Sequence, residues 1–233
     1  MSTCEELAFP YNSNSSVASE LHEKALRTGV TLLGTGINPG YLMDAWPLYM
    51  TVPCQIVHAL RATRVQDASD RRGPFQHKIG AGLTEAVFRE RAANGEIRHV
   101  GLTESARMIA AGMGWSLDSL TENIEPIIAS NTIETAYVSI AAGQVAGVRQ
   151  EGVGIAAGRQ VITLEFRAAV GLTESYDAVS IDGVPSVEAR ISGGVHGDLG
   201  TAAVVVNAIP RVSAAAPGLI TMKDLPPPFA EGT

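Results

Sequence analysis

Residues 160–170 read Gln-Val-Ile-Thr-Leu-Glu-Phe-Arg-Ala-Ala-Val, and the two sides of this run differ. Ile162, Leu164, Phe166 and Ala168 alternate with Val161, Thr163, Glu165 and Arg167. A period of two is that of an extended strand with one face in a core. The run lies inside a β-rich stretch from Ser116 to about Ser192. That texture predicts a large, mainly antiparallel sheet flanked by helices. Within it, Ser180-Ile-Asp-Gly-Val-Pro185 predicts a hairpin, because Asp-Gly suits a two-residue turn.

The front of the chain alternates helix and strand instead. Val17, Leu21 and Ala25 predict a helix over 13–28, with Gly29 at its C′ position. Val30 to Leu33 follows as a short buried strand. A helix is expected over 40–49, with Pro39 near its first turn. Residues 55–65 alternate as a strand. The segment 67–82, dense in charge and glycine, reads as a loop with a short turn of helix. Thr84 is expected to cap a helix to Asn94-Gly95, and Thr103 one ending near Gly112 or Gly114. Asp198 is expected to cap a helix through Val212, and Pro217-Gly218 and Pro226 to Pro228 to mark an extended tail. The fold class is therefore an α/β remnant of a Rossmann domain joined to an α+β domain with a large, mainly antiparallel sheet. The divisions fall at 1–36, 37–215 and 216–233.

Composition excludes several classes. The chain is 233 residues with 45% hydrophobic and 18% charged content and a net charge of −7. No basic run exceeds Arg71-Arg72, which argues against nucleic acid. The longest apolar run, 201–209, is too short for a bilayer, and no signal peptide is visible. Cys4 and Cys54 are too few for a disulfide framework and read as small core residues. A cytoplasmic setting is the default. No metal-ligand spacing and no Gly-x-Ser-x-Gly elbow occurs.

Three segments invite a chemical reading. Gly34-Thr-Gly-Ile-Asn-Pro-Gly40 sits between a strand and a predicted helix, the setting of a dinucleotide fingerprint. Its spacing is G-x-G-x-x-x-G, and Pro39 lacks an amide hydrogen. It reads as a pyrophosphate cradle or as a tight strand-to-helix connection. Glu5-Glu6 is either a solvated pair or a proton-handling carboxylate at a strand end. Arg61 to Lys78 is either a solvated loop or the polar wall of a pocket, where a carboxylated substrate would want an arginine fork. His196 is structural or catalytic at a helix start.

Met1 to Pro10, Gly34 to Asp44, Thr63-Arg64-Val65, Lys78 to Gly82, Gly197-Asp198 and Asn207 to Arg211 together resemble the 2,4-diaminopentanoate dehydrogenase family. Native amine dehydrogenases and, more distantly, dihydrodipicolinate reductases are its relatives. The resemblance spans nearly the whole chain. It implies NAD(P)-linked oxidation of a carbon bearing an amine, with an amine or ketone as the small-molecule substrate. It implies a catalytic role in amine activation for Glu5 or Glu6, and His196 is taken as a catalytic candidate from its place at a helix start. It places Thr3, Gly36, Asn38, Pro39, Gly40, Leu42 and Arg64 around the substrate and nicotinamide.

The family opens with a nucleotide-binding half whose fingerprint this sequence lacks. At about 30 residues per strand–helix–strand step, ~100 residues are expected to be missing from the front. The chain alone is then expected to bind NAD or NADP weakly or not at all, and to be inactive. The alternative is a non-catalytic oligomerising or partner-binding module. A homodimer through the large sheet is expected, from the apolar alternation at 160–170 and from the resemblance.

Overall fold

A computed structural model describes residues 1–230 and 232. In chain order it holds α1 (Ser15–Thr28), β1 (Thr31–Leu33), α2 (Ala45–Met50), β2 (Ile56–Asp67), α3 (Gly73–Lys78), α4 (Glu85–Ala93) and α5 (Leu102–Met113). The β-rich half follows: β3 (Ser119–Ile128), β4 (Ile133–Glu134), β5 (Ser139–Ile140), β6 (Val145–Ala156), β7 (Arg159–Ala169), β8 (Tyr176–Val184) and β9 (Val187–Ser192). Then come α6 (Gly197–Ala214) and β10 (Gly218–Ile220).

Six strands form one sheet in the order β3-β6-β7-β2-β8-β9. All neighbours are antiparallel except β2 and β7, which run parallel. β2 comes from the front of the chain and slots between strands that are later in sequence. Its inward residues Leu60 and Ala62 are almost fully buried, so a central position serves them best. The apolar side of the alternation at 160–170 faces the helices: Ile162, Leu164, Phe166 and Ala168 are buried. The other side carries charge. Arg149 donates to Glu165 at 3.0 Å and to Glu151 at 2.7 Å. The apolar alternation thus builds the internal core and is not available to a partner.

A second, smaller unit stands at the other end. β1 pairs in parallel with β10, and Ser2 bridges to Gly34 beside them. Leu33, Met108, Ala208 and Met222 form the core between this pair, α5 and α6.

Several boundaries differ from those expected. Residues 40–44 are turns, and α2 begins at Ala45, because the Asp44 carboxylate caps it. Asp44 is fully buried and accepts from the amides of Gly40 and Ala45, both at 2.7 Å, and from Ser105 Oγ at 2.8 Å. α5 is capped by Gly101 at φ 107°, so Thr103 lies inside the first turn. Asp182-Gly183 is not a turn: β8 runs through it to Val184, and the chain reverses at Pro185-Ser186. A Cβ on Gly183 would lie 2.4 Å from the Ile56 carbonyl oxygen, so this glycine serves a close strand approach at a bulge. His196, not Asp198, caps α6. The segment 216–224 is no extended tail. It supplies β10 and a 3-10 turn, Met222–Asp224, fastened by the Thr221–Asp224 capping box. Cys4 is exposed and so is no core residue, while Cys54 is half-buried and packs against the main core.

Candidate active site

A crevice of about 340 Å³ opens where the 3-10 turn Glu5–Leu7, the turn at 37–40, the inward face of β2, α3 and the start of α6 meet. Its lining includes Glu5, Asn38, Thr201, Phe75, Lys78 and His99. A smaller cleft adjoins it, bounded by Thr3, Gly36 and Pro39, and Glu5, Ile37, Asn38 and Thr201 are common to both. The Ile37 amide donates to Thr201 Oγ1 at 3.3 Å, which ties the turn to α6.

One buried ion pair sets the back wall. Arg64 and Asp177 meet at 3.1 Å with both side chains 2% exposed. Burial pushes the Asp177 carboxyl up, against the pull of Arg64, and pushes the Arg64 guanidinium down. Both groups also hold the loop that feeds α6. Arg64 Nη2 and Gln66 Nε2 donate to the Val195 carbonyl at 2.8 and 2.9 Å, and the Val195 amide donates to Asp177 Oδ2 at 2.8 Å. The start of α6 is thereby anchored to β2 and β8.

His99 lines the crevice beside Asn38. Its Nε2 lies 2.9 Å from Asn38 Nδ2, and its ring stacks on Phe166 with centroids 4.5 Å apart. Burial, helped by Arg64, Lys78 and Arg98, pushes its pKa down to about 3. The ring is therefore neutral, and Nε2 accepts from the Asn38 amide. Gln150, fully buried, clamps the His99 backbone on both sides, at 2.7 and 3.0 Å, and donates to Glu122 at 3.0 Å. Asn38 Oδ1 is buried without a partner.

The expected site residues separate clearly. Glu5, Asn38 and Arg64 line the crevice, and Thr3, Gly36 and Pro39 the adjoining cleft. Glu6 is exposed and lines neither. Its own backbone amide, then the Cys4 thiol at 3.1 Å, hold its carboxyl below the usual range. Leu42 does not reach the site; it is 1% exposed in the core. Gly40 packs inward, where a Cβ would lie 2.5 Å from the Gly36 amide nitrogen. His196 is exposed, with Nδ1 accepting from the Leu199 amide at 3.5 Å; its neighbours Gly197 and Asp198 reach the crevice instead. His99 had no signal in the sequence, and Phe166 read only as core.

The glycines at 34–40 also bear on the fingerprint. A Cβ on Gly34 would sit 2.4 Å from the Leu7 carbonyl carbon. Gly34 and Gly40 thus allow the chain to pack on itself. The adjoining cleft encloses about 190 Å³.

Sequence comparison decides the family. The profile of the 2,4-diaminopentanoate dehydrogenase C-terminal domain matches residues 41–231. The chain belongs to this family. It is 37% identical to 2,4-diaminopentanoate dehydrogenase of Acetoanaerobium sticklandii, an alignment that covers 99% of this chain and 67% of that protein. Its fold is similar to that of an amine dehydrogenase from Mycobacterium smegmatis, with a TM-score of 0.84 at 22% identity over 98% of this chain and 68% of that one. Family membership supports an oxidoreductase of the dehydrogenase type. Among the described residues no group of three or more His, Cys, Asp or Glu has the arrangement of a metal site, and no helix is long and apolar enough to cross a membrane.

Proposed function

We propose that this chain is the substrate-binding part of an NAD(P)-linked oxidoreductase that interconverts an amine with its imine or ketone. The observation that carries the reading is the joint presence of Glu5 and Asn38 where the crevice meets the smaller cleft. Glu5 is the proton-handling member of the Glu5-Glu6 pair: it takes a proton from the substrate nitrogen, and Glu6 is turned away toward Cys4. Asn38, held by neutral His99, offers its free Oδ1 as an acceptor for an N–H of the substrate. Thr3, Gly36, Pro39 and Thr201 would hold the nicotinamide end of the cofactor, which supplies the hydride acceptor when bound. We read β1, β10 and α1 as part of a nucleotide-binding fold whose pyrophosphate cradle is not formed by Gly34 to Gly40.

Two copies pair through the outward face of the large sheet, where arginines and glutamates alternate across β6 and β7. Titration calorimetry with 1,3-diaminopropane tests the site. Glu5→Gln is expected to weaken binding by about tenfold or more, the loss of one charged hydrogen bond. Glu6→Gln is expected to leave it within about twofold, as for an exposed surface charge. The reverse order would overturn the assignment.

A further inference from the structure

Asn38 decides which nitrogen of His99 carries the proton. The Asn38 side-chain nitrogen lies 2.9 Å from His99 Nε2 and 3.1 Å from Met43 Sδ. With the nitrogen there, both amide hydrogens have acceptors, the sulfur being a weak one. Turning the amide over would put both hydrogens where Oδ1 now lies buried without a partner, and would set oxygen against sulfur. Nε2 is therefore the acceptor, and the single ring proton of the neutral imidazole is on Nδ1.

That Nδ1–H is a donor without a protein partner. The hydrogen bonds of His99 use Nε2, the backbone amide and the backbone carbonyl. Nδ1 is not among the side-chain nitrogens buried unpaired, so it is open. The residue is half-buried and borders only the crevice and a recess of about 20 Å³ that shares Phe75, Lys78 and Phe166 with it. The ring is also fixed. It stacks on Phe166 with planes 22° apart. Gln150 holds the backbone of the same residue, with Oε1 taking the amide and Nε2 giving to the carbonyl and to Glu122. The reversed Gln150 amide would set donor against donor, so this clamp has one orientation. A donor held in this way needs no rearrangement to meet a ligand.

We propose that His99 Nδ1–H is a catalytic hydrogen-bond donor of this crevice and that its ligand is an uncharged carbonyl oxygen, that of the ketone counterpart of the amine. The proposal rests on the amine reading of Glu5 and deepens it. One crevice then has to take an ammonium in one direction and a ketone in the other. A cation beside the reacting carbon would polarise the ketone but repel the ammonium. A neutral imidazole polarises a carbonyl without that repulsion. The ring keeps this state because burial, and after it Arg64, Lys78 and Arg98, oppose its charging. Addition of ammonia to the ketone forms the C–N bond and moves the carbonyl π pair onto oxygen. The Nδ1–H bond strengthens as that charge grows. A proton then passes from the nitrogen to the oxygen and gives the neutral carbinolamine, and His99 keeps its own proton throughout.

Long-range proton–nitrogen NMR of the 233-residue chain at neutral pH reads both ring nitrogens of His99, and their loss in His99→Phe assigns them. The expected pattern is a protonated Nδ1 and a bare Nε2. Asn38→Ala is expected to mix in the opposite tautomer. Titration with butanone is expected to move the Nδ1 signal. His99→Phe keeps a ring against Phe166 and is expected to weaken butanone about two- to tenfold, the worth of one neutral hydrogen bond. Lys78 is exposed, and Lys78→Gln is expected to leave butanone binding within about twofold. Amide dispersion reports whether each variant folds, and the tautomer and the butanone titration are read on the unaltered chain.

A bare Nδ1 in the unaltered chain overturns the proposal, and so does a butanone titration that leaves the Nδ1 signal in place. Acetate that moves Nδ1 where butanone does not overturns it in favour of an anion drawn by the crevice cations Arg71 and Lys78. Butanone binding that depends on His99, with no binding of 1,3-diaminopropane, leaves the carbonyl donor standing and removes the amine reading. Diamine binding that depends on Glu5, with no response of His99 to butanone, does the opposite.

Discussion

Arg64 Nη1 and Asp177 Oδ1 lie 3.1 Å apart, joined across 113 residues of sequence in the interior of the protein. The pair couples β2 to β8 and, through Val195, fixes where α6 starts. Removing one partner leaves a buried charge without compensation. Asp177→Asn is therefore expected to cost about 3–5 kcal/mol of stability in urea unfolding. The double variant Arg64→Met/Asp177→Leu is expected to recover much of that loss. A double variant no better than the single one would show that the hydrogen bonds to Val195, and not the charge balance, dominate.

His99 is expected to leave a signature in the pH dependence of stability. Its folded pKa of about 3 lies below the ordinary imidazole value of 6.5. Between these values the unfolded chain binds the proton and the folded one does not, so stability falls as pH drops through the window. His99→Gln is expected to flatten the slope of unfolding free energy against pH from 6.5 toward 4. Urea melts over this range, wild type minus variant, measure it directly. An unchanged slope would mean that His99 takes up its proton in the folded state.

Cofactor affinity follows from the glycine turn. The missing side chains of Gly34 and Gly40 are used for chain-on-chain packing, and Pro39 gives no amide. Fluorescence titration of this chain with NADH and NADPH is expected to show dissociation constants well above the micromolar range. Micromolar binding to either would restore residues 34–40 as a dinucleotide site.

The assembly makes its own prediction. The outward sheet face is laced with charge: Arg149 alone reaches Glu125, Glu151 and Glu165. A dimer through this face is expected to weaken with salt, because screening shortens from about 10 Å at 0.1 M to about 3 Å at 1 M. Sedimentation equilibrium at both concentrations checks it. A strict monomer at low salt would refute the dimer, and a dimer indifferent to salt would place the interface elsewhere.

The sequence by itself determined the local elements and part of the crevice lining. Alternation at 160–170 placed β7 and its inward face, because burial on one side of a strand leaves a period of two whatever lies opposite. Gly29 placed the end of α1, and Thr84 capped α4 as expected, because caps are satisfied within one turn of chain. Glu5, Asn38 and Arg64 were legible through motif resemblance. Tertiary structure decided the rest. Only long-range pairing could put β2 between β7 and β8, or seat β10 beside β1 where proline and glycine suggested a loose tail. Only packing could turn Glu5 into the crevice and leave Glu6 exposed, adjacent residues with the same chemistry that point different ways from a 3-10 turn. His99 and Phe75 carry no periodic or motif signal, and Arg71 was legible only as one charge of the stretch 61–78, since their surroundings come from distant segments. Burial neutralises the first. Such environments are assembled from distant segments, and a one-dimensional pattern does not record them.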